Sequence, residues 1–126
     1  MQVATGIDEP DYGGVILDDM VYLSGADVES DRFSNVRIEV ELAFVLAKPL
    51  EGPGLTVDDV LRATDHIVPA LEILNSHIAL EGRTIVDTIS DNAAMGAMVI
   101  GGDPVKPDAV DLRWVSAILA RNGVIE

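Results

Sequence analysis

Three glutamates are the residues in this sequence whose types and spacing could do chemistry. Glu39 and Glu41 stand two apart in Arg37-Ile38-Glu39-Val40-Glu41-Leu42, and Glu72 interrupts the apolar run Val68-Pro69-Ala70-Leu71-Glu72-Ile73-Leu74. Residues two apart on a strand project from one face about 7 Å from each other, near enough for two carboxylates to share a cation. On pattern alone the same alternation describes the wet face of a half-exposed strand. Glu72 shifts that balance. Burying a carboxylate unpaired in such a run would cost on the order of several kcal/mol, so it calls for a cation, a base or a raised pKa. Three converging carboxylates would make an oxygen-donor site for a hard divalent cation, Mg²⁺ or Mn²⁺. The chain has no Cys, which removes thiolate ligands, and His66 and His77 lack a partner at ligand spacing and are assigned to packing or surface roles.

The elements that must position these carboxylates can be read from periodicity. Across residues 35–46, Ile38, Val40, Leu42 and Phe44 alternate with Glu39, Glu41, Ala43 and Val45, which predicts a strand ended by Pro49 and Gly52-Pro53-Gly54. Thr56 followed by Asp58 and Asp59 predicts a capped short helix. The run 67–74, broken only by Glu72, fits a buried strand. Residues 86–94 predict a short helix or turn, 97–100 a strand ended by Gly101-Gly102, and 112–120 another strand with Trp114 in the core. Between residues 15 and 28, short apolar stretches around Asp18-Asp19 and Ser24-Gly25 predict strands with tight turns. Asn122-Gly123 is a hairpin signal followed by only three residues, so its partner strand is expected to be missing. The abrupt start points the same way, to a fragment.

Charge and composition exclude several classes. With 22 acidic and 8 basic side chains among 126 residues the net charge is −14, which opposes binding to nucleic acid or to an anionic membrane surface. Apolar residues make up 48% of the chain, enough for a core and too many for a disordered acidic tail. No apolar run approaches the ~20 residues of a membrane span, and the first ten residues lack a signal-peptide layout, so the expected location is the cytoplasm. Neither Gly13-Gly14 nor Gly101-Gly102 has the spacing of a phosphate loop, and no nucleotide cofactor is implied. Nothing marks an internal domain boundary.

Five segments together resemble a known family. They are Glu9-Pro10-Asp11-Tyr12-Gly13, then Arg37-Ile38-Glu39-Val40-Glu41-Leu42-Ala43-Phe44, Pro69-Ala70-Leu71-Glu72, Asp87-Thr88-Ile89-Ser90-Asp91-Asn92-Ala93-Ala94, and Arg121-Asn122-Gly123-Val124-Ile125-Glu126. In this order they resemble the 2-oxo-hept-3-ene-1,7-dioate and 2-keto-4-pentenoate hydratases, within the fumarylacetoacetase superfamily. The resemblance implies a mixed α+β, β-rich fold, a fumarylacetoacetase-like β-sandwich or barrel-like arrangement incomplete at both ends. Residues 1–126 would be the central metal-bearing part of one catalytic domain.

Carried over position by position, the resemblance implies metal ligands at Glu39, Glu41 and Glu72, an active-site acid or base at Asp11, and substrate contacts at Ser90, Asp91 and Asn92. A glutamate rather than an aspartate at position 72 favours the hydratase and decarboxylase branch. The family's lysine has no counterpart here, since Lys48 precedes Pro49 at a strand end and Lys106 precedes Pro107 in a polar loop. The implied activity is that of a divalent-metal hydro-lyase adding water to a linear unsaturated 2-oxo acid, a dicarboxylate with 2-oxo-hept-3-ene-1,7-dioate as the first candidate, in aromatic-compound catabolism, as a homo-oligomer if full length. A 2-oxo-acid decarboxylase, an acylpyruvate hydrolase and an inactive fragment are the alternatives.

Overall fold

A computed structural model describes residues 14–126; Asp11 and the rest of the Glu9–Gly13 motif lie outside the described residues. Six strands occur among them: β1 (Val21–Leu23), β2 (Val36–Leu46), β3 (Thr64–Asn75), β4 (Met95–Ile100), β5 (Ala120–Arg121) and β6 (Val124–Ile125). Two short helices join them, α1 (Val57–Ala63) and α2 (Ile85–Ser90). The first four strands form one sheet in the order β1-β4-β3-β2, so β2 and β3, which carry the glutamates, are hydrogen-bonded neighbours. The chain is mixed α and β in class, with two compact units.

The first unit comprises the described residues up to Glu39 together with Glu72–Val99. Its core is made by Ile73 on β3, Ala94, and Met95 and Ala97 on β4. Gly96 sits between them where a Cβ would lie 2.8 Å from both the Asn75 Cβ and the Ile73 carbonyl oxygen, so only glycine lets β4 approach β3 this closely. Helix α2 begins at a reciprocal cap. The Thr84 hydroxyl accepts from the Asp87 N–H at 3.3 Å, and the Asp87 carboxylate accepts from the Thr84 N–H at 2.8 Å. The turn after α2 is left-handed at three successive non-glycine residues, Asn92, Ala93 and Ala94, with φ of 53°, 56° and 61°. Such a run is sterically costly for L-residues and persists only where surrounding structure holds it.

The second unit comprises Val40–Leu71 and Ile100–Glu126. Ala63, Ile67, Val68 and Ala70 are its buried apolar residues. Helix α1 is capped by Thr56 and Asp59 in the same reciprocal way, as the sequence predicts. Ile67 and Val105 exchange both backbone hydrogen bonds, at 2.8 and 3.0 Å, which ties the segment after Gly101-Gly102 onto β3.

Three sequence expectations need correction. Residues 112–120 are not a strand: Leu112–Trp114 is a 3₁₀ turn in which the Asp111 carboxylate accepts from the Arg113 N–H, and Trp114 is 83% exposed rather than in the core. Asp111 also pairs with the Arg113 guanidinium at 2.6 Å, and this local side-chain bonding competes with an extended ladder. The Asn122-Gly123 turn does have its partner, because Val124 pairs with Arg121 and Ile125 with Ala120 in a two-residue antiparallel hairpin. Between residues 15 and 28 only Val21–Leu23 is a strand, preceded by a 3₁₀ turn at Asp18–Met20.

Candidate metal centre and its supporting loop

Glu39 and Glu41 project from the same face of β2, as two-residue spacing requires, and Glu72 comes from the neighbouring β3. One carboxylate oxygen from each lies within 4.8 Å of the others. Glu39 and Glu72 are half-buried and Glu41 is exposed. Two ligand atoms on one ion are at most two bond lengths apart, about 4.2 Å for Mg²⁺ and about 4.6–5.2 Å for Ca²⁺. Three carboxylate oxygens within 4.8 Å of one another are thus near enough to be drawn onto one divalent cation. An all-oxygen anionic donor set suits hard cations. The alternating face opposite the glutamates is not buried as a core, since Ile38, Val40 and Phe44 remain 38–43% exposed.

Ser90, Asp91 and Asn92, expected to touch substrate, each engage the protein. The Ser90 hydroxyl donates to the Val86 carbonyl at 2.7 Å. The Asn92 carboxamide grips the main chain at Val15, accepting from its N–H at 2.8 Å and donating to its carbonyl at 2.9 Å. Gly14 makes room for that grip, because a Cβ there would stand 1.6 Å from Asn92 Oδ1. Asp91, with a side chain only 5% exposed, accepts from the His77 N–H at 3.0 Å, the Ser76 hydroxyl at 2.9 Å and His77 Nδ1 at 3.1 Å.

His77 continues this network. Asn75 Oδ1 accepts from the backbone of Ser34 and Asn35, so its Nδ2 is the donor toward His77 Nε2 at 3.2 Å. That leaves Nδ1 as the donor to Asp91, an assignment made from the network. The sequence places His77 in an ordinary packing or surface role, and the structure gives it this bridge. His66 pairs with Asp65, which also receives Lys106 Nζ at 2.9 Å.

These carboxylates set a pH dependence. Burial opposes ionisation of Asp91, but the donors from His77 and Ser76 outweigh it and hold the carboxyl below its usual range. Asp59 is lowered to about 2 by the Thr56 hydroxyl and backbone N–H, with Arg62 adding to it. Asp65, Asp87 and Asp111 are lowered by their own hydrogen-bond donors, Lys106 first for Asp65, Thr84 for Asp87 and Arg113 for Asp111. A depressed folded-state pKa stabilises the protein above the unfolded value of about 3.9, and the contribution is lost as pH falls through the folded value. Relief of the overall negative charge is complete near the isoelectric point of about 4.2, so it does not mask this loss. The urea midpoint in chelator is expected to drop steeply between about pH 4 and pH 2. A midpoint that holds or rises over that interval would contradict the assignment.

The described scaffold defines a class, a mixed α/β chain whose sheet brings together three carboxylates able to offer oxygen donors to a hard cation. Comparison with known proteins makes this particular. Over 132 aligned residues, all of this chain and 49% of the relative, it is 53% identical to 2-oxo-hept-4-ene-1,7-dioate hydratase of Escherichia coli. It is 38% identical to 2-keto-4-pentenoate hydratase of Paraburkholderia xenovorans (strain LB400), over 98% of this chain and 45% of that one. The structure of 4-oxalocrotonate decarboxylase from Pseudomonas putida G7, complexed with magnesium and adipate, superposes with a TM-score of 0.89 at 27% identity, covering 99% of this chain and 47% of that one. No protein-family model matches the chain. Along its whole length the chain is similar to these two hydratases, and it spans about half the length of the curated relatives it matches. Among the described residues no helix is long and apolar enough to cross a membrane.

The glutamates and Asp11 were singled out in the sequence, while the Asn75-His77-Asp91 network and the Asn92 grip were not. Asn75 at the end of an apolar strand was a signal for the network, since a buried carboxamide must find partners for both ends.

Proposed function

We propose that the protein carrying this chain is a divalent-metal hydro-lyase acting on a linear unsaturated 2-oxo acid, with a fumarylacetoacetase-like fold. The observation that carries the reading is the convergence of Glu39, Glu41 and Glu72 carboxylate oxygens within 4.8 Å. The names of the relatives support the substrate class, and the magnesium and calcium in the names of the similar decarboxylase structures support the choice of ion.

Glu39, Glu41 and Glu72 would hold Mg²⁺ or Mn²⁺ and leave its remaining positions to substrate. A bound divalent cation supplies Lewis-acid stabilisation of enolate charge on the 2-oxo acid. Asp11 is assigned the proton transfers that take a 2-hydroxy-2,4-dienoate to its conjugated ketone. Water then adds across C3=C4, its hydroxyl to C4 and a proton to C3, to give the 4-hydroxy-2-oxo acid. The 3-ene and 4-ene dioates are two ketones of one dienol, protonated at C5 or at C3, so the bond position in the bacterial relative's name belongs to the same chemistry. The turn bearing Ser90, Asp91 and Asn92 would flank the substrate, with these side chains holding backbone in place.

The test follows loss of dienoate absorbance in the complete protein that carries this chain. Turnover is expected with Mg²⁺ or Mn²⁺ and is expected to vanish in chelator; turnover indifferent to metal would sink the reading. The similarity to 4-oxalocrotonate decarboxylase favours decarboxylation as the second reading, and release of CO₂ in place of water addition would select it.

A further inference from the structure

Arginine is scarce in this chain, six residues against 22 carboxylates, so an arginine without a carboxylate needs a reason. Four of the six have one: Arg32 lies 3.9 Å from Asp19, Arg62 2.7 Å from Asp59, Arg113 2.6 Å from Asp111 and Arg121 2.7 Å from Glu126. Among the described residues, Arg37 and Arg83 make no ion pair, and these two line the same small cavity. The cavity, about 40 Å³, lies within the first unit and holds one or two water-sized groups, which is the size of a carboxylate. Arg83 Nη1 reaches the Ser76 hydroxyl at 3.4 Å, and Leu74 and Leu80 supply apolar wall. Asp91, one hydrogen bond beyond Ser76, has its charge taken up by Ser76 and His77.

The cavity's place on the sheet gives it a ligand. Arg37 precedes Glu39 by two residues on β2 and Leu74 follows Glu72 by two on β3, so the cavity they line begins one pleat, about 7 Å, along the face that presents those glutamates, with Arg83 reaching it from the segment after β3. From C2 to the far carboxylate of a seven-carbon 2-oxo dioate is five bonds, about 6 Å at the ~1.2 Å per bond of an extended chain.

We infer that Arg37 and Arg83 form the pocket for the second carboxylate of a dicarboxylic 2-oxo acid whose first end is held at the glutamates. The inference rests on the metal reading proposed above. Guanidinium matches carboxylate in planar, two-point geometry, and Arg83, held only by a hydroxyl, is free to turn to it. The pocket selects dioates over monoacids of the same series.

The test uses unreactive saturated analogues, 2-oxoheptanedioate and 2-oxopentanoate, titrated calorimetrically with Mg²⁺ present. The parent protein is expected to prefer the dioate by about 10- to 100-fold, the range for hydrogen bonds to a charged group. Arg37→Met and Arg83→Met are each expected to reduce that preference toward parity, and Arg83→Lys to retain part of it. A parent protein that binds both acids equally, or Met variants that keep the full preference, overturns the pocket while leaving the metal reading intact. Failure of either acid to bind in a Mg²⁺-dependent way overturns the metal reading, and the pocket falls with it.

Discussion

Replacing Glu72 by glutamine is expected to weaken Mg²⁺ binding at least about 100-fold, because loss of groups that merely support metal ligands already costs about 10–100-fold. Glutamine keeps the size of the side chain and one oxygen, so the change isolates the charge. The effect can be read without any turnover. A ligand present at 100 times its dissociation constant stabilises the folded protein by about 2.7 kcal/mol, so saturating Mg²⁺ should raise the melting temperature of the parent by several degrees. The Glu72→Gln protein should show no such rise. Glu39→Gln should behave alike, since Glu39 is the other half-buried member of the trio. Equal Mg²⁺ affinity in parent and variant, measured by calorimetry, would take Glu72 out of the site.

The second large effect is on stability. Asp91→Ala is expected to cost about 2–4 kcal/mol, because it strands the His77 N–H and leaves the Ser76 hydroxyl only the longer contact to the Ile78 carbonyl, at 3.2 Å, where a nearly buried carboxylate had accepted from both. It also releases His77 Nδ1, and with it the link to Asn75 that anchors the backbone at Ser34 and Asn35. For a chain of this size the melting temperature should fall by roughly 10 °C. Asp91→Asn, which retains an acceptor, should fall in between. A melting temperature for Asp91→Ala within a degree or two of the parent would mean that the network contributes little.

How much of this could be read beforehand varied with the range of the interaction. Strand β2 was legible because its alternation is local, and α1 because Thr56 and Asp59 lie within one turn. The trio Glu39, Glu41 and Glu72 was legible from spacing plus one misplaced charge. Trp114 was misread because hydrophobicity predicts burial only when a neighbour covers the side chain, and the turn at Asp111 and Arg113 presents it outward instead. The Asn92 grip on Val15 spans 77 residues of sequence and left no periodic trace. The Arg37 and Arg83 pocket was hidden for a similar reason, because the absence of an ion pair is a property of space and not of order along the chain.

The left-handed turn at Asn92, Ala93 and Ala94 bears on how far likeness to a relative can be used to infer substrate. Its backbone admits glycine, asparagine and small residues most readily and penalises β-branched ones, whatever molecule is bound nearby. Identity with a hydratase at these positions therefore reports a shared chain path. The residues that can report a shared substrate are those whose backbone would accept many side chains, and by that standard Arg37 and Arg83 are more informative about what the protein binds than the turn beside them.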